Sequence, residues 1–245
     1  MSRFQYYDCI KSLLERAFQQ QEEALMNAAH LMADVISAGN LIYVFGAGHA
    51  GIIAEEMFYR AGGLVPVNPI FAPGLLTSTN PATLETALER LSGYAAILFE
   101  ANKINSGDLL IIHSNSGRNT VAIELAEVAR SKGVKVIALT SIAHSQAFPS
   151  RHPRGLRLMD VADLVLDNCG EVGDAIVELS GLPQRVGATS TVVGAALMNA
   201  LVVETAKLLL EKGIEPPVYC SANVDGGEEM NERWLSLYRS RLNYL

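Results

Sequence analysis

Three closely spaced glycines are the first residues whose types and spacing suggest chemistry. Gly46, Gly48 and Gly51 follow a short apolar run and precede a segment with helical periodicity. Glycines at a strand-to-helix turn allow the backbone to approach a ligand closely, and the free amides at the start of the helix then face an anion. This glycine loop (residues 46–51) predicts an anion-binding site, with a purely structural turn as the alternative.

Two kinds of phosphate ligand fit a glycine loop. A dinucleotide fold needs an acidic residue at the end of the second strand, where it binds the ribose hydroxyls. Asn68 and Pro69 occupy that position, and no Asp or Glu is nearby. The sequence therefore favours a monophosphate site without a bound cofactor, and such a site needs further hydroxyl and amide donors.

A second polar segment supplies such donors. This serine loop (residues 114–119) follows another apolar run and opens a helix, and it contains Ser114, Asn115, Ser116 and Asn119. Clustered hydroxyls and helix-start amides satisfy the acceptor oxygens of a phosphate. The neighbouring Arg118 could add charge, although an arginine beside a helix start is commonly solvated. The alternative for the whole segment is an ordinary helix cap with additional serines.

Proton transfer on a bound phosphate ester would need a carboxylate or an imidazole beside the ligand. His49 lies inside the glycine loop, and Glu55 and Glu56 follow on the next helix. At about 100° per residue, both glutamates fall on the face opposite the apolar stripe of that helix. Their apolar neighbours suggest a subunit interface, so a base could act in a site shared between chains. Simple solvated charges are the alternative.

His113 ends an apolar run and is interpreted as a core histidine. His49 and His113 could approach each other, because each lies at the carboxyl end of a predicted strand. The spacing of potential ligands does not support a metal site between them, so we predict no metal.

The surrounding periodicity predicts alternating strands and helices. Helical patterns cover residues 4–38 (one helix or a pair), 50–61, 83–102, 121–132, 191–212 and 228–242. Continuous apolar runs, typical of buried parallel strands, cover residues 41–45, 64–68, 108–113, 134–140 and 164–167. Residues 141–160 and 214–227 resemble loops, as does the turn 167–174 after the fifth strand. The helix 191–212 is apolar almost all round, which indicates burial, in part against a second subunit.

This order predicts an α/β fold with a doubly wound, flavodoxin-like, five-stranded parallel sheet covered by helices on both faces. In such a sheet the first and third strands are neighbours, and a crevice opens at their carboxyl ends. The glycine loop and the serine loop follow those two strands, so we expect both to border one crevice.

Taken together, the glycine loop and the serine loop resemble the sugar isomerase (SIS) domain family. A third segment, Gly-Ala-Thr-Ser-Thr at residues 187–191, resembles the equivalent part of arabinose-phosphate isomerase relatives. The resemblance spans roughly residues 35–215, and the whole chain is most similar to stand-alone bacterial SIS-domain proteins described as phosphosugar-binding. Residues 1–38 then form an N-terminal helical extension, and residues 39–245 form the SIS domain with its C-terminal helix.

The resemblance implies a phosphorylated sugar as ligand and a homodimer or homotetramer. The residues that match the family motif as phosphate ligands are Ser114, Asn115, Ser116 and Asn119. The sugar would lie against Gly46, Gly48 and His49, and Ser190 and Thr191 would lie near the site at a helix start. Many relatives carry Ser at the position of Ala50 and Thr at that of Asn119. The family contains isomerases, an etherase and sensors, so we predict a sugar-phosphate isomerase (aldose–ketose) or an etherase-type lyase, with a non-catalytic phosphosugar sensor as the alternative.

Composition, net charge and cysteine spacing restrict the partners and the cellular compartment that we expect. The 245 residues are 49% hydrophobic and carry a formal net charge of −7, which disfavours non-specific binding to nucleic acid or to an anionic membrane. Cys9, Cys169 and Cys220 are far apart, which fits a reducing compartment. Without an apolar signal core or a membrane-spanning run, the sequence predicts a cytoplasmic protein.

Overall fold

The computed structural model describes residues 3–245, so Met1 and Ser2 lie outside the described residues. The helices are α1 (Gln5–Gln20), α2 (Glu22–Ser37), α3 (Ile52–Met57), α4 (Ala82–Leu88), α5 (Tyr94–Ala101), α6 (Thr120–Ser131), α7 (Ile142–Ala147), α8 (Leu158–Val161), α9 (Ser190–Glu211) and α10 (Gly227–Tyr238). The strands are β1 (Ile42–Gly46), β2 (Val67–Ile70), β3 (Leu109–His113), β4 (Lys135–Thr140), β5 (Leu164–Asp167), β6 (Ala175–Val177) and β7 (Val186–Ala188).

The main sheet has five parallel strands in the order β2-β1-β3-β4-β5, which confirms the predicted flavodoxin-like topology. Every residue of β1 and β3 is buried, as expected for strands covered on both faces. The two strands are in register, so that the last residue of β1, Gly46, lies opposite the last residue of β3, His113. The glycine loop and the serine loop therefore leave the sheet side by side.

Alternate residues of β1 belong to two different hydrophobic cores. Ile42 and Val44 pack with α2, α3 and α9 on one face. Tyr43 and Phe45 pack with α5 and α6 on the other. Fully burying an aliphatic side chain stabilises a fold by about 1.5–3 kcal/mol. The two cores therefore stabilise the position of β1, and with it the start of the glycine loop.

The N-terminal pattern is a helix pair, broken at Gln21, and both helices contribute to the core that covers one face of the sheet. The division of the chain at residue 38 stays a prediction. Helix α9 is long and apolar enough to cross a membrane, with a mean hydropathy of 1.6, but half of that stretch is buried within the fold. This position is that of a core helix.

The predicted helix 83–102 is wrong in extent, because the chain turns between α4 and α5. Gly93 takes a positive φ of 85° before α5, and its amide donates a 2.7 Å hydrogen bond to the carboxylate of Glu124. The Ser92 hydroxyl donates to the same carboxylate. A tertiary contact with α6 therefore ends α4 and starts α5.

The helix predicted for 50–61 is also shorter. A 3-10 turn (Gly48–Gly51) leads into α3, which ends at Met57 because Phe58 is extended and Tyr59 has a φ of 41°. Helix α10 ends at Tyr238 rather than at residue 242. The loop predicted for 141–160 contains α7, and the antiparallel hairpin of β6 and β7 was not predicted.

Candidate functional site

The glycine loop makes a backbone turn that excludes any side chain at its first position. A Cβ atom on Gly46 would lie 2.3 Å from the carbonyl oxygen of Ala50. Gly48 has a φ of 56°, and its amide donates a 2.8 Å hydrogen bond to the carbonyl of Leu75. The loop therefore contributes a tight wall, and one of its amides is already bound within the protein.

His113 ties the glycine loop to the end of β3. Its Nδ1 lies 3.1 Å from the carbonyl oxygen of Ala50, so this nitrogen donates the hydrogen bond, and the ring is 1% exposed. Burial lowers the pKa of His113 from 6.5 to about 4, although the Ala50 carbonyl and the carboxylate of Asp174 act in the opposite direction. The imidazole is neutral at pH 7 and holds the two loops together.

The serine loop is shaped by a second glycine. Gly117 has a φ of 55°, and its amide donates to the hydroxyl oxygen of Ser114 at 3.2 Å. A Cβ atom on Gly117 would lie 3.0 Å from Thr140 Oγ1 and 3.2 Å from Ser145 Oγ. This packing directs the loop into α6, whose cap residue Asn119 has an extended backbone.

The predicted phosphate ligands differ in whether their side chains already form hydrogen bonds within the protein. Asn115 Oδ1 accepts a 2.8 Å hydrogen bond from Asn168, and Asn119 Oδ1 accepts one of 2.8 Å from Arg151 Nη1. Ser116 is half-buried, and its hydroxyl makes no hydrogen bond to any of residues 3–245. Ser114 accepts from Gly117 and retains its own proton. The two serines are the side chains best placed to donate to a ligand.

The side chains of the predicted catalytic residues make no hydrogen bond to the serine loop within residues 3–245. His49, which belongs to the glycine loop, and Glu55 are exposed. Glu56 forms an ion pair with Arg60 and accepts a 2.9 Å hydrogen bond from Asn199 Nδ2 on α9. The catalytic role of these three residues stays a prediction.

Two carboxylates that the sequence analysis did not select border the crevice. Glu85 on α4 lies beside the glycine loop, because a Cβ atom on Gly48 would be 3.2 Å from its Oε1. Glu89 follows at the end of the same helix and lies against Asn119. Burial raises the pKa of Glu89, and the contact with Asn119 partly opposes this. The four-residue spacing, which places both on one helix face, was the available signal.

The third predicted segment, residues 187–191, is hydrogen-bonded to Asp174, which directly precedes β6. Asp174, which was expected in a surface turn, accepts hydrogen bonds from the Ser190 amide at 2.8 Å and the Ser190 hydroxyl at 2.7 Å. It also accepts from the amide and hydroxyl of Thr189, at 3.1 and 3.0 Å. Thr191 is half-buried at the start of α9. The Ser190 hydroxyl is therefore bound to a carboxylate, close enough to His113 for Asp174 to influence its pKa.

No group of three or more His, Cys, Asp or Glu side chains is arranged for a metal ion within residues 3–245. In that part of the chain Cys9, Cys169 and Cys220 are free thiols.

Comparison with known sequences decides the family. The SIS domain model matches residues 5–141, which is more than half of the chain and includes both loops. The chain belongs to the SIS domain family. This SIS protein is 47% identical to a UPF0309 protein from Shouchella clausii over 241 residues, with 98% of each chain covered. It is 42% identical to a UPF0309 protein from Oceanobacillus iheyensis over the same length, again with 98% of each covered.

Solved structures share the fold at low sequence identity. A phosphoheptose isomerase from Neisseria gonorrhoeae aligns with a TM-score of 0.54 and 18% identity, covering 82% of the SIS protein and 95% of the isomerase. The sugar isomerase domain of an RpiR transcription factor from Sphaerobacter thermophilus aligns with a TM-score of 0.51 and 17% identity, covering 96% and 95%. At these identities the likeness concerns the fold.

Proposed function

We propose that this SIS protein binds a phosphorylated sugar in the crevice between the two loops and catalyses a sugar-phosphate isomerisation. One observation carries the proposal: the Ser116 hydroxyl has no partner within the described chain and stands at the start of α6, beside a glycine turn that admits no side chain. Hydroxyls and amides at a helix start form a site for a phosphate dianion. The phosphoheptose isomerase with the same fold supports the choice of ligand.

Isomerisation between an aldose and a ketose moves a proton between adjacent carbons through an enediol. A carboxylate takes the proton from one carbon and returns it to the next. Within one chain, Glu85 is the carboxylate beside the glycine loop, where the sugar would lie. The raised pKa of Glu89 favours its protonated form, which suits a donor to a sugar oxygen. Glu56, Glu55 and His49 stay candidates for a site completed by a second chain.

A non-catalytic sensor is the second candidate. Glu56 is bound to Arg60 and Asn199, and the side chain of His49 makes no hydrogen bond within residues 3–245, which favours binding without turnover by those residues. The sugar isomerase domain of a transcription factor has the same fold. In both functions the phosphate binds at the serine loop.

The proposed assembly is a homodimer formed by the exposed stripe of α9. Val192, Asn199, Val203 and Leu210 follow one another at intervals of seven, four and seven residues, so they share one helix face, and all are exposed. Asn199 also holds Glu56. A second chain on this stripe would therefore cover Glu56, which would place that carboxylate in a shared site.

Calorimetric titration with sugar phosphates tests the binding proposal. Ser116→Ala should weaken binding by about 1–3 kcal/mol, because it removes a hydrogen bond to a charged oxygen. Ser131→Ala is the matched control, since Ser131 is exposed at the far end of α6 and donates only to the Val128 carbonyl. Equal affinities for wild type and Ser116→Ala would contradict a phosphate site at the serine loop.

Exchange of the sugar C2 proton with deuterium, followed by NMR, tests the catalytic proposal. Glu85→Gln should slow exchange at least about 100-fold while affinity stays within about threefold, because a general base contributes roughly 10²–10⁴ to the rate. Glu56→Gln is the comparison. If only Glu56→Gln abolishes exchange, the base is Glu56 and the assignment to Glu85 is wrong. Binding without exchange in the wild type would leave the sensor as the function.

A further inference from the structure

Three arginines gather around the start of α6 in a chain whose formal net charge is −7. Arg118 belongs to the serine loop, and the amide of Arg151 donates a 2.9 Å hydrogen bond to its carbonyl oxygen. The Arg151 guanidinium donates to Asn119 Oδ1 at 2.8 Å. Arg90 follows Glu89 directly at the end of α4. The serine loop thus carries one arginine and is bonded to a second, and the third lies close enough to influence the pKa of Arg151.

These arginines differ from most others in the protein because they form no ion pair. Within residues 3–245, carboxylates lie within 4.0 Å of the charged groups of Arg16, Arg60, Arg130, Arg154, Arg185, Arg233, Arg239 and Arg241. No such pair exists there for Arg90, Arg118 or Arg151. Instead, burial and the positive charges of Arg118 and Arg90 lower the pKa of Arg151, while the carboxylate of Glu89 acts in the opposite direction, so positive charges repel one another here more than one carboxylate compensates.

Protein contacts hold two of the guanidiniums in place despite this repulsion. Arg118 lies over the ring of Phe148, with its Cζ 5.5 Å from the ring centroid. Its Nε is buried and has no hydrogen-bond partner among the described residues. Arg151 is held by Asn119, which also lies against Glu89. The nearby negative charge comes from Glu85 and Glu89, and burial raises the pKa of Glu89, although Asn119, Arg151 and Arg90 act in the opposite direction.

A single phosphate does not account for this much positive charge. The hydroxyls of Ser114 and Ser116 and the amides at the start of α6 already offer a phosphate its hydrogen bonds. Although Arg90 and Arg151 are exposed, an anion bound between clustered cations relieves their mutual repulsion.

Resting on the proposed function, we propose that the phosphosugar carries a second anionic group, a carboxylate or another phosphate, which binds to Arg151 and Arg118. The serine loop then holds the first phosphate, and the guanidiniums select sugars that are acidic at a second position. Arginine suits this task because its planar group binds carboxylate and phosphate oxygens in pairs.

Calorimetric titration at one fixed salt concentration tests this inference with two pairs of probes. Fructose 6-phosphate and fructose 1,6-bisphosphate differ by a phosphate, and glucose 6-phosphate and 6-phosphogluconate test a carboxylate. The wild type should bind the doubly acidic probe of at least one pair about tenfold more tightly than its partner. The pair that shows the preference identifies the second group.

Arg151→Gln should reduce that preference to about twofold or less and leave monophosphate affinity within about threefold. Arg154→Gln removes the same charge from an arginine that pairs with Glu127, and it should keep the preference. Equal binding of both members of each pair, or an equal loss for both in Arg151→Gln, would overturn the inference while leaving the serine-loop site intact. If no probe binds to the wild type, the proposed function fails together with the inference.

Discussion

At the scale of single residues, His113 shows how a buried side chain can join two functional loops. Its Nδ1 binds the Ala50 carbonyl of the glycine loop, and its own backbone ends the strand that leads into the serine loop. Burial keeps the ring neutral, although the hydrogen bond to Ala50 by itself favours the protonated form. Protonation would therefore place a charge on a fully buried group between the two loops.

The pH dependence of stability should report this ionisation. The folded-state pKa of His113, about 4, lies below its ordinary value of 6.5, so the unfolded chain binds a proton more readily. The contribution is complete above pH 6.5 and is lost as the pH falls towards 4, with a total of about 3 kcal/mol. Denaturant unfolding between pH 7 and pH 4 measures it.

The matched variants for that experiment are His113→Gln and His30→Gln, since His30 is exposed on α2. His113→Gln should flatten the dependence between pH 6.5 and pH 4, whatever its effect on absolute stability. His30→Gln should preserve the wild-type dependence. If both variants lose stability with the wild-type slope, His113 is not the titrating group.

Sequence reasoning identified the polar residues of the serine loop but not which of their side chains are free. Asn168 lies 53 residues from Asn115, and Arg151 lies 32 residues from Asn119. Such long-range partners depend on the packed structure and leave no local pattern. Glu85 and Glu89 were missed for a related reason. Their spacing shows that they share one helix face, but only the folded structure shows that this face lies beside the glycine loop and Asn119.

At the scale of elements, continuous apolar runs predicted the sheet strands well, except that the strand predicted at 64–68 lies at Val67–Ile70. β1, β3 and β4 were predicted within one or two residues, because a strand covered on both faces is a continuous apolar run. The hairpin escaped prediction because β6 and β7 have three residues each, and β7 is fully exposed. Its position depends on contacts with α1, including the Tyr6 hydroxyl, which donates to the Ala188 carbonyl at 2.7 Å.

At the scale of the whole molecule, the exposed stripe of α9 predicts self-association. Val203 is 52% exposed and Leu210 is 62% exposed, although both lie on a helix whose other face is buried. Val203→Asp combined with Leu210→Asp should raise the dimer dissociation constant at least about tenfold, because a dimer would have to bury the new charges. Sedimentation equilibrium measures this constant.

Leu237→Asp is the control, because Leu237 is 64% exposed on α10, away from the stripe. It should leave the dissociation constant unchanged. A wild-type protein that sediments as a monomer, or a double variant that dimerises like the wild type, would contradict the proposed interface.

The packing of α9 also limits how the protein can be divided. The family match ends at residue 141, directly after β4, whereas α9 begins at Ser190 and covers one face of the sheet. Gly194 is packed so closely that an added Cβ atom would lie 3.2 Å from Ile53 and from Leu139. A fragment ending at residue 141 would expose to water the apolar surface that α9 covers, and it would also lack the edge strand β5. The bounds of the family match are therefore not those of a folding unit, and we expect the smallest unit able to fold alone to extend at least through α9.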